Sequence, residues 1–451
     1  MAMFARLLLA AALFFALPAT AQPQPDQALL DTATSMFTMN VQARADAIEK
    51  LAARGTPDIA APLIEFMPLV PENAERIGEI LRQITGADIK AEWFEWMLWQ
   101  EAHPEIRPFA GYDAVKSRFL GQIDLEFLRF VHPGVKSDIR LEEIAWGGLK
   151  FGATPALDEP DTTSAADAAW LSDDDMVIGL VIDGDARAYP RRILDWHEMV
   201  NDTVGKVPVT VSFCALCYSA IVWERLPAGR VLPFDFDTSG LIYRSNKLMY
   251  DHQSESLWSQ LTGQPVVGDL AGSGLQLKMR PAVMARWADW RAAHPDTKVL
   301  SLQTGHQRDY LNGQPYADYL SNPAMMFPAV MADWTHQPKD RVFGLRLDGA
   351  AKSWPLGDFA GGRVINDRIG DAPVVLVGDQ ASDTVRAYRR DGQEFKPGAH
   401  PRELLAADGR PWTLTEDTLV GPAGDRLERL PGQVSFWFAW QSRFPRSSPK
   451  P

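Results

Sequence analysis

The chain has 451 residues, 46% hydrophobic and 23% charged, with a formal net charge of −13. That length accommodates two or three domains with full hydrophobic cores, and the composition excludes disordered, fibrous and collagen-like classes. The acidic balance, uninterrupted by any basic cluster, argues against nucleic acid or an anionic membrane surface as a partner.

Residues 1–21 read as a secretory signal peptide: Arg6 gives the positive start, Leu7 to Leu17 the apolar run, and Ala19-Thr20-Ala21 an A-x-A cleavage site. No later stretch reaches ~18 uninterrupted apolar residues, so no membrane span is expected after cleavage, and the mature chain is expected to be periplasmic or secreted. Residues 22–135 read as a helical N-terminal region. Ala45 to Gly55 and Ile59 to Met67 place apolar residues at i, i+3, i+4 and i+7, with Gly55 as a C′ glycine. A short HEAT-like antiparallel array is the expectation. Trp93, Trp96 and Trp99 recur at the spacing of a packing seam. Residues 136–170, rich in Gly, Asp and Pro, read as a linker.

An internal repeat occupies the remainder. Val177-Ile-Gly-Leu-Val-Ile-Asp-Gly-Asp-Ala-Arg-Ala-Tyr-Pro190 matches Val342-Phe-Gly-Leu-Arg-Leu-Asp-Gly-Ala-Ala-Lys-Ser-Trp-Pro355, 165 residues further on. At the same offset Asn201-Asp202 falls on Asn366-Asp367, Gly205 on Gly370, and Pro208-Val209 on Pro373-Val374. Trp287-x-x-Trp290 is echoed by Trp437-x-x-Trp440. Each unit reads as β-rich, with a hairpin at Asp183-Gly184 and a closing helix that carries the tryptophans. The expected fold is therefore α+β: an all-α N-terminal region followed by two β-rich tandem copies of one domain. The copies span 171–300 and 341–446, with a linker at 301–340 between them and a tail at 447–451.

The repeat separates scaffold from site. Asn201, Asp202 and Gly205 occur in both units and read as structural. His197, Glu198, Cys214 and Cys217 occur only in the first, where the second has Gly362, Arg363, Asp379 and Ser382. The joint loss of the histidine and both cysteines, the chain's only two, points to one shared site. Cys214 and Cys217 lie between two β-type runs, so they are expected on a hairpin knuckle rather than at a helix start, a geometry that suits a metal.

His197 with the two thiolates makes three ligands for copper or zinc, and Met249 or His252 are candidates for a fourth. The competing reading is a thiol–disulfide oxidoreductase in which Cys214 and Cys217 are the catalytic pair. A third is a ligand-binding or scaffold protein with an inert pair. Ser239, Asn246, Asp251, Glu255 and Ser256 are candidates for a cleft beside the cysteines, Asp251 and Ser254 alternatively for a helix cap. The partner is then an unidentified small molecule or periplasmic protein. Tyr218 follows the C-x-x-C, so no haem attachment is expected, and no nucleotide or flavin fingerprint is present.

These residues resemble a bacterial family, the domain-of-unknown-function 3179 (DUF3179) proteins. The resemblance is carried by Ala186-Arg-Ala-Tyr-Pro190, Trp196-His-Glu198, Val200-Asn-Asp202, Phe213-Cys-x-Leu-Cys217, Ser239-Gly-Leu241, Tyr243-Arg-Ser-Asn246, Leu248-Met-Tyr-Asp251 and Glu255-Ser-Leu-Trp-Ser-Gln260. It extends from about Arg140 to Phe444 and implies no particular activity. It does imply a C-P-x-C-G knuckle, in which Ala215 and Tyr218 here stand at the proline and glycine positions. That departure leaves a looser copper site or a redox pair more open than a tight structural zinc site.

Overall fold

The structure is a computed structural model that describes residues 26–311 and 315–445. The expected signal peptide (1–21) and tail (447–451) lie outside the described residues. Helices come first, and a β-rich region follows.

The N-terminal helices are α1 (Gln27–Ser35), α2 (Val41–Ala52), α3 (Ala60–Phe66), α4 (Ala74–Thr85), α5 (Trp93–Ala102) and α6 (Tyr112–Ile123). Local chemistry sets their ends. Asn40 Oδ1 accepts from the Ala43 N–H at 2.9 Å to cap α2, and Gly86 closes α4 with φ +75°. Of the three spaced tryptophans, Trp96 is fully buried, while Trp93 and Trp99 pack half-buried against the same core. That core does not stop at the helices. It includes Phe127, Phe130 and Val131 and continues into Leu241, Leu248 and Tyr250 of the β-rich region. The buried Lys116 ammonium is held by Glu65 and the Ile144 carbonyl, and the Tyr112 hydroxyl donates to Glu65 at 2.5 Å.

The region read as a linker contributes short strands β1 (Ile144–Trp146), β2 (Leu157–Asp158) and β3 (Thr162–Ser164). Then follow β4 (Met176–Ile182), β5 (Asp185–Pro190), α7 (Arg191–His197), β6 (Met199–Val204), β7 (Val207–Cys214) and β8 (Ser219–Glu224). Next come β9 (Phe236–Tyr243), β10 (Asn246–Asp251), β11 (Leu257–Ser259), β12 (Gln264–Val267), β13 (Met279–Arg280), β14 (Val283–Arg286), α8 (Trp287–Ala293) and β15 (Lys298–Leu300). These strands make three five-stranded sheets, in the orders β1-β9-β10-β11-β12, β13-β8-β7-β6-β2 and β14-β4-β5-β15-β3. The first sheet carries the helical layer, and the second carries the cysteines.

Beyond α9 (Ala317–Ser321), the C-terminal part contains β16 (Arg341–Leu347), β17 (Ala350–Pro355), β18 (Arg363–Ile369), β19 (Ala372–Asp379) and β20 (Thr384–Arg389). It continues with β21 (Phe395–Pro397), β22 (Glu403–Ala406), β23 (Pro411–Leu414), β24 (Thr418–Val420), β25 (Arg426–Leu430), β26 (Gly432–Phe436) and α10 (Trp437–Arg443). One sheet is β17-β16-β26, and the other has eight strands in the order β18-β19-β20-β25-β24-β23-β22-β21.

Strand registers recur at the sequence offset. Ile178 pairs with Tyr189 and Phe343 with Trp354; Met199 pairs with Ser212 and Val364 with Val377; Cys214 pairs with Ser219 and Asp379 with Thr384. The β4–β5 turn has φ +50° at Asp183 and +80° at Gly184, and the β16–β17 turn has +51° at Asp348 and +82° at Gly349. Two consecutive positive φ values define the tight hairpin turn that Asp-Gly favours. Asn201 exchanges two hydrogen bonds with the Phe236 backbone, and Asn366 does the same with Phe395. Asp202 accepts from the Tyr189 hydroxyl at 2.7 Å, and Asp367 from Trp354 Nε1 at 2.7 Å.

Candidate functional site

The cysteines sit at the tip of the β7–β8 hairpin. Cys214 is the last residue of β7, opposite Ser219, and Ala215 to Tyr218 form the turn, with Tyr218 at φ +52°. No helix follows Cys214, in keeping with the β-type runs on either side. Both thiols are free and buried, within hydrogen-bond reach of each other.

Their surroundings differ. Cys217 is sealed: its Sγ lies 3.1 Å from the Ser245 carbonyl and accepts from Asn246 Nδ2 at 3.3 Å. Gln260 Oε1 holds Asn246 in place at 2.8 Å and accepts from Ser219 Oγ at 2.9 Å. Burial and the neighbouring Cys214 push the Cys217 thiol well above its ordinary range. Cys214 instead lines a cavity of about 430 Å³. Burial and the Glu198 charge oppose its ionisation, but a hydrogen bond from Cys217, the Lys247 charge and the Lys247 backbone N–H hold Cys214 below the ordinary thiol value. Cys217 has a single thiol hydrogen. It serves Ser245 while Cys214 is a thiol and turns to Cys214 once the stronger thiolate acceptor forms.

The helix that ends beside β7 supplies the charged wall. Glu198 closes α7 in the left-handed region at φ +57°, and its carbonyl accepts from the Phe213 N–H at 2.8 Å and Lys247 Nζ at 3.0 Å. The Glu198 carboxylate receives Lys247 at 3.4 Å and the Tyr316 hydroxyl at 3.2 Å. Asp195, one turn earlier, also lines the cavity. Burial raises its carboxyl to about 6, with Glu198 adding to the effect against Arg191. Asp195 Oδ2 lies 3.6 Å from Arg191, whereas Oδ1 is buried without a hydrogen-bond partner among the described residues.

The segment read as a linker at 301–340 closes over this wall with three tyrosines. Tyr310 donates to His197 Nε2 at 2.5 Å, Tyr316 reaches Glu198, and Tyr319 donates to the Leu216 carbonyl in the cysteine turn at 2.7 Å. From the other side, the Phe436 N–H donates to the Cys217 carbonyl at 2.8 Å, and the Tyr218 hydroxyl donates to Asp383 at 2.9 Å. The Tyr218 ring stacks on Phe436 with centroids 5.5 Å apart. The turn is thus clamped from both flanks.

The ligand set for a metal is not brought together. His197 Nδ1 lies 2.8 Å from the Pro155 carbonyl, so it carries the hydrogen and Nε2 accepts from Tyr310. The nitrogen a metal would take is therefore occupied, and burial lowers this imidazole to about 4. Met249 is packed with Phe234, Phe236 and Trp258 in a different core cluster from the cysteines. His252 is half-exposed beside Asp237 at 3.7 Å, whose hydrogen bond raises its pKa. Among the described residues no three His, Cys, Asp or Glu side chains form a group able to hold a metal ion.

Of the residues expected to line a cleft, only Asn246 reaches a cysteine. Ser239 Oγ donates to the Leu248 carbonyl at 2.7 Å, and Ser256 Oγ accepts from the Leu270 N–H at 3.1 Å. Glu255 pairs with Arg129 at 2.5 Å near the surface, and Asp251 accepts from Ser254 and Trp258 Nε1. Asp251 and Ser254 shape a turn into strand β11 rather than capping a helix, because Leu257–Ser259 pairs between β10 and β12.

Sequence reasoning missed Asp195, Lys247 and the tyrosines. The available signals were a lysine inside an otherwise buried strand and three of the chain's nine tyrosines within ten residues of an apparent linker.

The family described as Protein of unknown function (DUF3179) matches residues 152–447, and the chain belongs to that family. No curated protein and no solved structure matches it.

Proposed function

We propose that the chain is an exported thiol–disulfide oxidoreductase acting on a small molecule, with Cys214 as the attacking thiolate and Cys217 as the resolving thiol. One observation carries this reading: of two adjacent cysteines, one lines a cavity with a lowered pKa while the other is sealed behind it. Cys214 Sγ attacks one sulfur of a disulfide, that S–S bond breaks, and the first thiolate leaves with the electron pair. Cys217 then gives its proton to that released thiolate and attacks Cys214 Sγ; the mixed S–S bond breaks, the second thiolate leaves with the electron pair and takes a proton from solvent, and a Cys214–Cys217 disulfide remains. Two electrons pass from the protein dithiol to the substrate, and an external dithiol must restore them.

Equilibration of the full chain in dithiothreitol redox buffers, read by mass spectrometry, tests this. Reversible loss of two hydrogens, abolished in Cys214→Ser, is the expected result. Failure to exchange, together with stoichiometric anaerobic uptake of copper or zinc that both cysteine variants abolish, would instead establish the metal reading of the same pair.

We further infer that residues 341–446 are a second copy of residues 171–300, kept as a buttress. The recurring strand registers and the doubled Asn and Asp contacts support it, as does the contact between Tyr218 and Asp383, which occupy matching turn positions with φ +52° each.

A further inference from the structure

The cavity beside Cys214 has a polarity that the thiol chemistry does not explain. At about 430 Å³ it falls in the range of small-molecule sites. Cys214 is 2% exposed, and its turn is clamped by Tyr319 and Phe436, so the sulfur is approached through the cavity, which suits a small disulfide. Trp196, Leu216, Leu241, Ile242 and Met326 give the cavity an apolar body.

Four charged residues line the same space: Asp195, Glu198, Lys247 and Arg308. Glu198 and Lys247 satisfy each other. Arg308 is exposed at the rim, where its guanidinium donates to the Ala153 and Gln307 carbonyls and lies over Trp196. Solvent screens a charge in that position. Asp195 differs from these. It is 2% exposed, its nearest cation stands 3.6 Å from the other oxygen, and Oδ1 has no hydrogen-bond partner among the described residues. A buried carboxylate oxygen left without a donor is costly, and a donor arriving with the ligand removes that cost.

Resting on the thiol–disulfide reading, we infer that the substrate is a small disulfide bearing an amino group, with the ammonium on Asp195 and the sulfur over Cys214. The apolar wall receives the carbon chain between them. Exchange follows the sequence already given, and the amine takes no part in bond making.

The test compares three symmetric disulfides with the reduced full chain: cystamine (cationic), 2-hydroxyethyl disulfide (neutral) and 3,3′-dithiodipropionate (anionic). Each rate is normalised to that of free 2-mercaptoethanol. Cystamine should exceed dithiodipropionate by about tenfold or more after normalisation, and Asp195→Asn should collapse that ratio. Equal normalised rates, or a preference for the anion, overturn the inference while leaving the redox chemistry standing.

A second measurement needs no variant: butylammonium should slow alkylation of Cys214 by iodoacetamide in the wild type, and butyrate should not. If no disulfide reacts but butylammonium protects, the redox reading fails and the amine site survives. If butyrate protects equally, the amine site fails.

Discussion

Substitution of Gly179 by alanine tests the packing of a tryptophan onto a strand glycine, a contact that Gly344 and Trp440 also make. A Cβ built on Gly179 lies 2.2 Å from Trp290 Cζ3, and one built on Gly344 lies 2.1 Å from Trp440 Cζ3. Carbon–carbon contacts settle near about 3.5–4.0 Å, so the indole must retreat by roughly 1.5 Å. Trp290 has nowhere to go: it is 1% exposed, and its Nε1 donates to Thr297 Oγ1 at 3.0 Å. Overpacking of this kind costs about 1–3 kcal/mol, and the reduced entropy of the unfolded alanine chain returns only about 0.4–1 kcal/mol. A net destabilisation of about 1–2 kcal/mol is expected for Gly179→Ala, with a similar value for Gly344→Ala. Urea unfolding followed by tryptophan fluorescence and far-ultraviolet circular dichroism measures it. Trp290→Phe removes the ring atoms in the clash, so the Gly179→Ala/Trp290→Phe pair should show a favourable coupling of about 1 kcal/mol. A Gly179→Ala protein within about 0.5 kcal/mol of wild type, or a cycle without coupling, would refute the argument.

Three further outcomes follow from the site. Cys217→Ala removes the hydrogen-bond donor to the Cys214 thiolate, so the pH midpoint of Cys214 alkylation should move upward; an unchanged midpoint would show that Cys217 does not tune it. His197 is buried neutral, with its pKa lowered from 6.5 to about 4. Its folded state binds protons less readily than the unfolded chain, so it withdraws stability as pH falls through that window. The stability difference between wild type and His197→Gln should therefore shrink from pH 7 toward pH 4, as read by urea midpoints. Tyr310→Phe leaves His197 Nε2 without its donor and frees Thr304, at a cost of about 1–3 kcal/mol. Hydrogen exchange should accelerate across 301–311 in that variant; unchanged protection would mean that this segment is held by other contacts.

Much of the scaffold was written in local sequence. The Asp183-Gly184 turn, the positive-φ glycine at Gly55 just past α2 (one residue beyond the expected C′ position), the tryptophan-bearing helices and the placement of the cysteines between two strands follow from rules that act over a few residues. Turn conformation, helix capping and the two-residue period of a strand need no knowledge of distant chain. The 165-residue offset also separated Asn201 and Asp202 from the site, and their bonds to Phe236 and Tyr189 are those of a scaffold.

What tertiary structure decided was which side chains meet the sulfurs. His197 is close in sequence to the cysteines, yet its ring is turned to Pro155 and Tyr310 by contacts 42 and 113 residues away. Met249 was expected near them from its strand and is drawn instead into an aromatic cluster with Trp258. Lys247 and Asp195 gain their roles only because β10 and the end of α7 converge on the tip of the β7–β8 hairpin. Long-range packing sets which face of each element turns inward, and that choice determines the groups around Cys214 while leaving the motif itself unchanged.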